Sequence, residues 1–250
     1  MNTILITGCS SGFGADIARH FLGHGWKVVA TMRTPRADVL PASDRLTILP
    51  LDVTDPASIA SAVAAAGPID ALVNNAGIGW LNALEGTPLE IARDLFKTNT
   101  LGTIAMTQAV LPQLRERRAG VIVNVSSSVT LKPLPLLSVY TASKAAVNAF
   151  TEVLALELEP FGVRTHLVLP GRAPETSFGA NARARLPEGN PFPEAYGDLV
   201  QRVFAGWAED TGPVTTIEDV TGAVWRAVTD PTAPLSIPAG ADAEALAKAG

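Results

Sequence analysis

The chain reads as an α/β protein with a doubly wound parallel sheet, in a single domain spanning residues 1–250. Three observations predict this. Strand-like apolar runs alternate with helix-like runs from the first residue onward. Most of those runs are continuous Val, Ile and Leu with little polar alternation, the pattern of strands covered on both faces. A glycine-rich turn separates the first such run from the first helix-like run. A length of 250 residues suffices for a sizeable core.

About seven strands are expected, in the order TILITG (3–8), KVVATM (27–32), LTILPLD (46–52), ALVNNAG (71–77), GVIVNVSS (120–127), RTHLVLPG (164–171) and PLSIPAG (234–240). Right-handed crossover helices would join them. Helices are predicted near 12–24, 56–66, 88–117, 137–159 and 216–229. Asp55-Pro56 and Thr87-Pro88 each resemble an N-cap followed by Pro at the first helical position. The fourth helix is rich in Ala and Leu and meets no Gly or Pro before Pro160. The segment 172–213 breaks the alternation with several Pro and Gly residues and two aromatic islands, Phe192/Tyr196 and Phe204/Trp207. Its place after the last core strand but one favours a lid over a pocket, the other reading being a long surface excursion.

Composition excludes several functions. The net charge is −5 with no block of like charges, so nothing suggests a nucleic-acid groove. The single cysteine, Cys9, rules out an intramolecular disulfide and a cysteine-rich zinc site. The first residues lack the basic and long apolar regions of a signal peptide, and no apolar run reaches membrane-spanning length. A cytoplasmic protein is expected. His20 and His24 are one helical turn apart but have no third ligand nearby, so they read as a surface pair, and no metal site is expected. His166 reads as structural.

Gly8, Gly12 and Gly14 punctuate the turn TGCSSGFG, which follows the first strand and opens a helix. Glycines permit positive φ and let a diphosphate approach the backbone, while the helix N-terminus offers free N–H groups. Tight strand-to-helix turns also use glycine for steric reasons alone. An acid at the end of the second strand would bind a ribose 2′-hydroxyl. Here the strand ends in ATMRT, and Arg33 suits the 2′-phosphate of NADP(H), with Ser11 as a second donor. A solvated Arg33 is the other reading. Asp52 is placed either to reach an adenine or to serve as a strand-end turn residue.

Tyr140 and Lys144 are one helical turn apart, and Ser127 lies thirteen residues before the Tyr. A phenol needs a shift of about 3 units, roughly 4 kcal/mol, to half-ionise near neutral pH. One cation about 4 Å away, at an effective dielectric near 20, supplies about that much. The pair is therefore a candidate proton-transfer device, or else a surface pair on a helix.

In combination these motifs resemble the short-chain dehydrogenase/reductase family, and in particular its hydroxysteroid and retinol dehydrogenase branch. The TGxxxGxG loop is Thr7–Gly14, the NNAG stretch is Asn74–Gly77, the helix Asn is Asn99, the Ser is Ser127, YxxxK is Tyr140/Lys144, and the PG turn is Pro170-Gly171. Among Ser126, Ser127 and Ser128, the family's spacing selects Ser127. The resemblance implies a Rossmann-type sheet and NADP(H), with NAD(H) possible, held by Gly8, Ser10, Ser11, Gly12, Phe13, Gly14, Arg33, Asp52, Val53, Asn75, Ala76, Gly77, Tyr140, Lys144, Pro170, Gly171 and Thr176. Thr176 comes five residues after Gly171 where the family usually has four, with Pro174 between.

The resemblance further implies hydride transfer between that cofactor and a carbonyl or secondary alcohol. Ser127 would bind the substrate oxygen, Tyr140 transfer the proton, Lys144 lower the Tyr pKa, and Asn99 hold a relay water. Substrate candidates are Gly79, Trp80, Leu134, Leu136, Val139, Phe178, Phe192 and Trp207, which predict an apolar molecule, with a ring-shaped one as the finer reading. A homodimer or homotetramer formed through the two long helices is expected. The alternative is a catalytically silent NADP(H)-binding sensor on the same fold.

Overall fold

The computed structural model describes residues 1–187, 189 and 191–249. Glu188 and Asn190 of the expected lid, and Gly250 at the end of the 1–250 span, lie outside the described residues. The strands are β1 (Thr3–Ile6), β2 (Lys27–Met32), β3 (Leu46–Pro50), β4 (Ala71–Asn74), β5 (Gly120–Val125), β6 (Val163–Pro170) and β7 (Ser236–Ala239). They form one seven-stranded sheet in the order β3-β2-β1-β4-β5-β6-β7, with every pairing parallel. The strand order reverses between β1 and β4, which opens a crevice at their carboxyl ends.

Alternation along the strands feeds two cores. Ile4 and Ile6 face one layer with Phe21, Val28 and Val224, while Leu5 faces the other with Leu72, Met106, Val110 and Leu154. Burial on both faces is why β1, β4 and the end of β5 carry no polar alternation. The two edge strands are less covered: no residue of β3 is fully buried, and Ser236 of β7 is exposed.

The helices follow as α1 (Gly12–Gly23), α2 (Pro56–Ala66), α3 (Leu89–Leu95), α4 (Gly102–Arg117), α5 (Ser138–Leu158), α6 (Phe178–Arg183), α7 (Gly197–Glu209), α8 (Ile217–Thr229) and α9 (Ala241–Ala249). Asp55 caps α2 by accepting from the Ala57 N–H at 2.9 Å, with Pro56 in the first turn, an arrangement worth about 1 kcal/mol. Thr216 and Asp219 close a reciprocal capping box on α8.

The helix expected over 88–117 is interrupted. A π-helical turn, Phe96–Leu101, separates α3 from α4. Thr87 is not the cap of α3, because its hydroxyl accepts from Trp80 Nε1 and donates to the Ala83 carbonyl. Pro88 takes the cap position instead. Helices α6 and α7 occupy the expected lid segment, and α9 is a helix the sequence pattern did not announce. Among the described residues, no helix is long and apolar enough to cross a membrane.

Candidate active site

The crevice at the strand reversal opens into a cavity of about 1510 Å³. Its floor is the turn between β1 and α1. Gly8 (φ +76°) and Gly12 (φ +55°) use backbone conformations that favour glycine. A Cβ on Gly14 would overlap the Gly8 carbonyl oxygen and lie 2.6 Å from Asn75 Nδ2, so α1 starts hard against the strand end. The N-cap Ser11 makes no side-chain cap, which leaves the first N–H groups of α1 open to the cavity. Thr7 Oγ1 accepts from the Asn75 and Ala76 N–H groups at 3.0 and 2.9 Å, and Asn75 Nδ2 donates to the Thr7 carbonyl at 2.9 Å. The glycine turn and the NNAG stretch are thereby one unit. An open N-terminus in a turn with no room for a side chain at Gly8 or Gly14 fits a bound diphosphate.

Ser10, Ser11, Phe13 and Arg33 line the same end of the cavity. Ser11 Oγ lies 3.2 Å from Ser177 Oγ, so the lid segment meets the loop here. Arg36 donates from Nη2 to the Ser10 carbonyl at 2.9 Å and braces the loop from outside. Asp52 Oδ1 accepts from the backbone N–H and hydroxyl of Thr54, both at 2.8 Å, and these bonds hold its carboxyl below the usual range. That turn engages one oxygen of Asp52, which still lines the cavity beside Val53.

Asn99, Ser127, Tyr140 and Lys144 are all buried. The π-turn places Asn99 inward, where Oδ1 accepts from the Ile78 N–H at 2.8 Å and Nδ2 donates to the Ile78 carbonyl and Ser143 Oγ, each at 3.0 Å. A Cβ on Gly77 would lie 3.3 Å from Asn99 Oδ1 and 3.5 Å from Lys144 Nζ. Glycine there keeps the space between amide and ammonium clear. Lys144 Nζ donates to the Val125 carbonyl at 2.9 Å. Ser126 Oγ is engaged by Asn148 Oδ1 at 2.5 Å, and Ser128 begins a short 3₁₀ turn. Ser127 is the serine whose hydroxyl meets the Tyr140 phenol.

The electrostatics differ from the expectation at one point. Burial pushes the Tyr140 phenol up to about 12, and the Ser127 hydroxyl opposes this only in part. Burial also pulls Lys144 down to about 8. Lowering of the phenol by its helical neighbour is not what dominates here. Loss of water outweighs the other influences on the phenol, and the ammonium is turned to the Val125 carbonyl. At neutral pH this chain therefore holds a neutral phenol beside a largely protonated amine.

The remaining candidates separate. Gly79, Trp80, Leu134, Phe178 and Trp207 line the cavity. Val139 packs with Trp80, Leu95 and Tyr140 and does not reach the wall. Leu136 and Phe192 pack beneath α7 in a separate apolar cluster with Leu81 and Phe204. Leu136 adopts φ +67°, an uncommon conformation held by its carbonyl accepting from the Asn82 N–H. Thr176 closes a turn onto the Ala173 carbonyl, and its side chain lies against Gly12. Pro170 and Gly171 line the wall at the end of β6.

Sequence reasoning missed Arg36, the lid arginines Arg183 and Arg185, and the α9 residues Asp242, Ala245 and Leu246, of which all but Arg36 line the cavity. Arg36 had a signal, as a second basic residue just after β2. The α9 residues had none beyond an Ala-rich tail following Gly240. His20 and His24, their rings 4.2 Å apart, both lie against Trp225, His20 edge-on. Among the described residues no group of His, Cys, Asp or Glu is arranged to hold a metal ion.

A sheet of this order, with a glycine cradle and a buried Ser-Tyr-Lys-Asn group at one crevice, defines a dinucleotide-binding α/β architecture. The family model described as short chain dehydrogenase matches residues 2–186. An uncharacterised oxidoreductase of Bacillus subtilis, YusZ, is 44% identical over 178 residues, covering 67% of this chain and 63% of that protein. Human retinol dehydrogenase 8 is 39% identical over 180 residues, covering 68% of this chain and 58% of that protein. The closed form of a serine dehydrogenase complexed with NADP⁺ superposes with a TM-score of 0.79 at 32% identity, over 95% of this chain and 94% of that one. The chain belongs to the short-chain dehydrogenase family. It matches less than two thirds of the length of those two relatives.

Proposed function

We propose that the chain is an oxidoreductase that uses NADP(H) in preference to NAD(H) and interconverts a carbonyl and a secondary alcohol on a predominantly apolar small molecule. One observation carries this reading: Ser127, Tyr140 and Lys144 line the same continuous cavity as the glycine cradle and Arg33. When bound, the cofactor supplies or accepts the hydride. The glycine turn and the N-terminus of α1 hold its diphosphate, Arg33 its 2′-phosphate, and the Asn75–Gly77 and Pro170–Gly171 stretches the rest of the wall.

The chain's own residues do the rest. Ser127 donates a hydrogen bond to the substrate oxygen and stabilises it as negative charge develops. Tyr140 gives its proton to that oxygen in reduction and takes it back in oxidation. The buried phenol is protonated at neutral pH, the form that can donate to a carbonyl oxygen. Lys144, beside Asn99 and donating to the Val125 carbonyl, returns a proton to the phenolate and regains one from solvent. The cavity wall of Trp80, Leu134, Phe178 and Trp207 suits an apolar substrate, with Arg183 and Arg185 also on it.

Exposed Leu101, at the end of the π-turn, and exposed Val153 and Leu156 on α5 support pairing into a homo-oligomer, which sedimentation velocity would test. Cytoplasmic residence belongs to the same proposal. The deciding experiment is fluorimetric titration with NADPH and NADH, followed by turnover on a panel of apolar ketones. Tighter NADPH binding with turnover supports the reading. Binding without turnover favours the silent sensor, and binding of neither cofactor rejects both.

A further inference from the structure

We propose that Asp242, on the last helix, is a positioning residue that fixes the turn Pro170–Arg172 on the cofactor side of the cavity. This rests on the functional reading above for what the turn faces. The geometry is a closed knot of three distant segments. Asp242 Oδ2 accepts from the Arg172 N–H at 2.7 Å, and Oδ1 accepts from Thr215 Oγ1 at 2.7 Å. Thr215, fully buried, also accepts from the Gly171 N–H at 2.8 Å, and its own N–H donates to the Arg172 carbonyl at 2.9 Å. Both N–H groups of the turn, at Gly171 and Arg172, are therefore held by α9 directly or through one hydroxyl.

Two glycines make the approach possible. A Cβ on Gly171 would overlap the Asp242 carboxylate. Gly240, at φ +104°, brings the start of α9 against Thr215, where a Cβ would again overlap. The knot also reaches the lid, because the Arg172 side chain pairs with Asp210 at 3.4 Å and donates to the Trp207 carbonyl at the end of α7. With Asp242, Ala245 and Leu246 on the cavity wall, α9 is part of the site and not a trailing tail.

Hydrogen-bond counting separates a geometric role from a charge role. The Thr215 hydroxyl has one proton and two acceptors in reach, Asp242 Oδ1 and the Ala239 carbonyl, the latter at 2.8 Å. In Asp242→Asn the amide oxygen can take the Arg172 N–H, and the amide N–H can donate to Thr215 Oγ1. The threonine proton then goes to Ala239, and every group is paired. In Asp242→Ala the Arg172 N–H loses its partner.

The test measures amide hydrogen exchange at Gly171 and Arg172 in the ligand-free protein, and the NADPH dissociation constant. Asp242→Ala is expected to speed exchange at both amides by about tenfold or more and to weaken NADPH binding by about tenfold. Asp242→Asn is expected to stay within about threefold of the natural chain on both. Unchanged exchange and binding in Asp242→Ala would overturn the proposal. So would an Asn variant as impaired as the Ala variant, since charge would then be the requirement. Should the Ala variant not fold, Thr215→Val against Thr215→Ser makes the same comparison at the Gly171 N–H. If the natural chain binds neither NADPH nor NADH, the functional reading fails, and the exchange measurement still decides whether the knot holds.

Discussion

The ring of Phe178 lies 5.8 Å from the ring of Tyr140, inclined at 52°, so the first residue of α6 rests beside the phenol proposed to transfer the proton. The same ring stands 2.8 Å from where a Cβ on Gly79 would be. Phe178→Ala removes an apolar wall next to the reacting atoms. It should raise KM for apolar ketones by about tenfold while changing kcat less, as expected when about 1–2 kcal/mol of uniform binding is lost. Gly79→Ala should displace the ring and move KM in the same direction. NADPH affinity should hold in both variants, and steady-state kinetics with parallel cofactor titration check this.

Tyr140→Phe keeps the ring and its packing but loses the transferable proton. Turnover should fall by about 10²–10⁴-fold or more with NADPH binding unchanged. Near-normal turnover in a variant that still binds the cofactor would sink the mechanism.

Lys144 gives a pH signature. Its pKa falls on folding from 10.5 to about 8, so between those values the unfolded chain holds more protons and stability rises with pH. Below about pH 8 the cost of burying the ammonium stands in full. Lys144→Met should lack that rise, so its stability relative to the natural chain should drop by up to about 3 kcal/mol between pH 8 and 10.5. Tyr140, raised from 10 to about 12, works the other way: stability falls above pH 10 in both proteins. Urea melts across pH 7 to 11 read both trends.

Arg33 and Arg36 separate phosphate recognition from support of the loop. Arg33→Ser should weaken NADPH by about tenfold or more and leave NADH nearly unchanged, the loss of a charge-assisted bond to the 2′-phosphate. Arg36→Ala removes a brace on the Ser10 carbonyl and should weaken both cofactors alike and modestly. Paired titrations distinguish the two patterns.

Gly14→Ala sets a methyl group on the Gly8 carbonyl, a backbone atom with nowhere to move. The variant should lose about 1–3 kcal/mol of stability and most of its cofactor affinity, by thermal melting with and without NADPH.

Much of this fold was legible in the amino-acid order, because its signals are local. Continuous apolar runs such as Thr3–Ile6 and Ala71–Asn74 mark strands covered on both faces, and Asp55-Pro56 marks a helix start in any context. The glycine turn and the one-turn spacing of Tyr140 and Lys144 are likewise short-range patterns. Thr87-Pro88 misled because the threonine hydroxyl was claimed by Trp80 and Ala83, contacts that depend on how the loop folds back.

What the sequence determined by itself was the order of elements, the cradle and the identity of the reactive side chains. Only the tertiary structure decided their electrostatics and their surroundings. The phenol rises where a neighbouring cation suggested a fall, because desolvation depends on everything packed around Tyr140 and not on its helical neighbour. Asp242 reaches the turn at Arg172 across seventy residues of chain, and Leu136 and Phe192 sink into a packing cluster instead of the cavity wall. Each of these outcomes is set by distances between segments remote in sequence, which residue spacing does not encode.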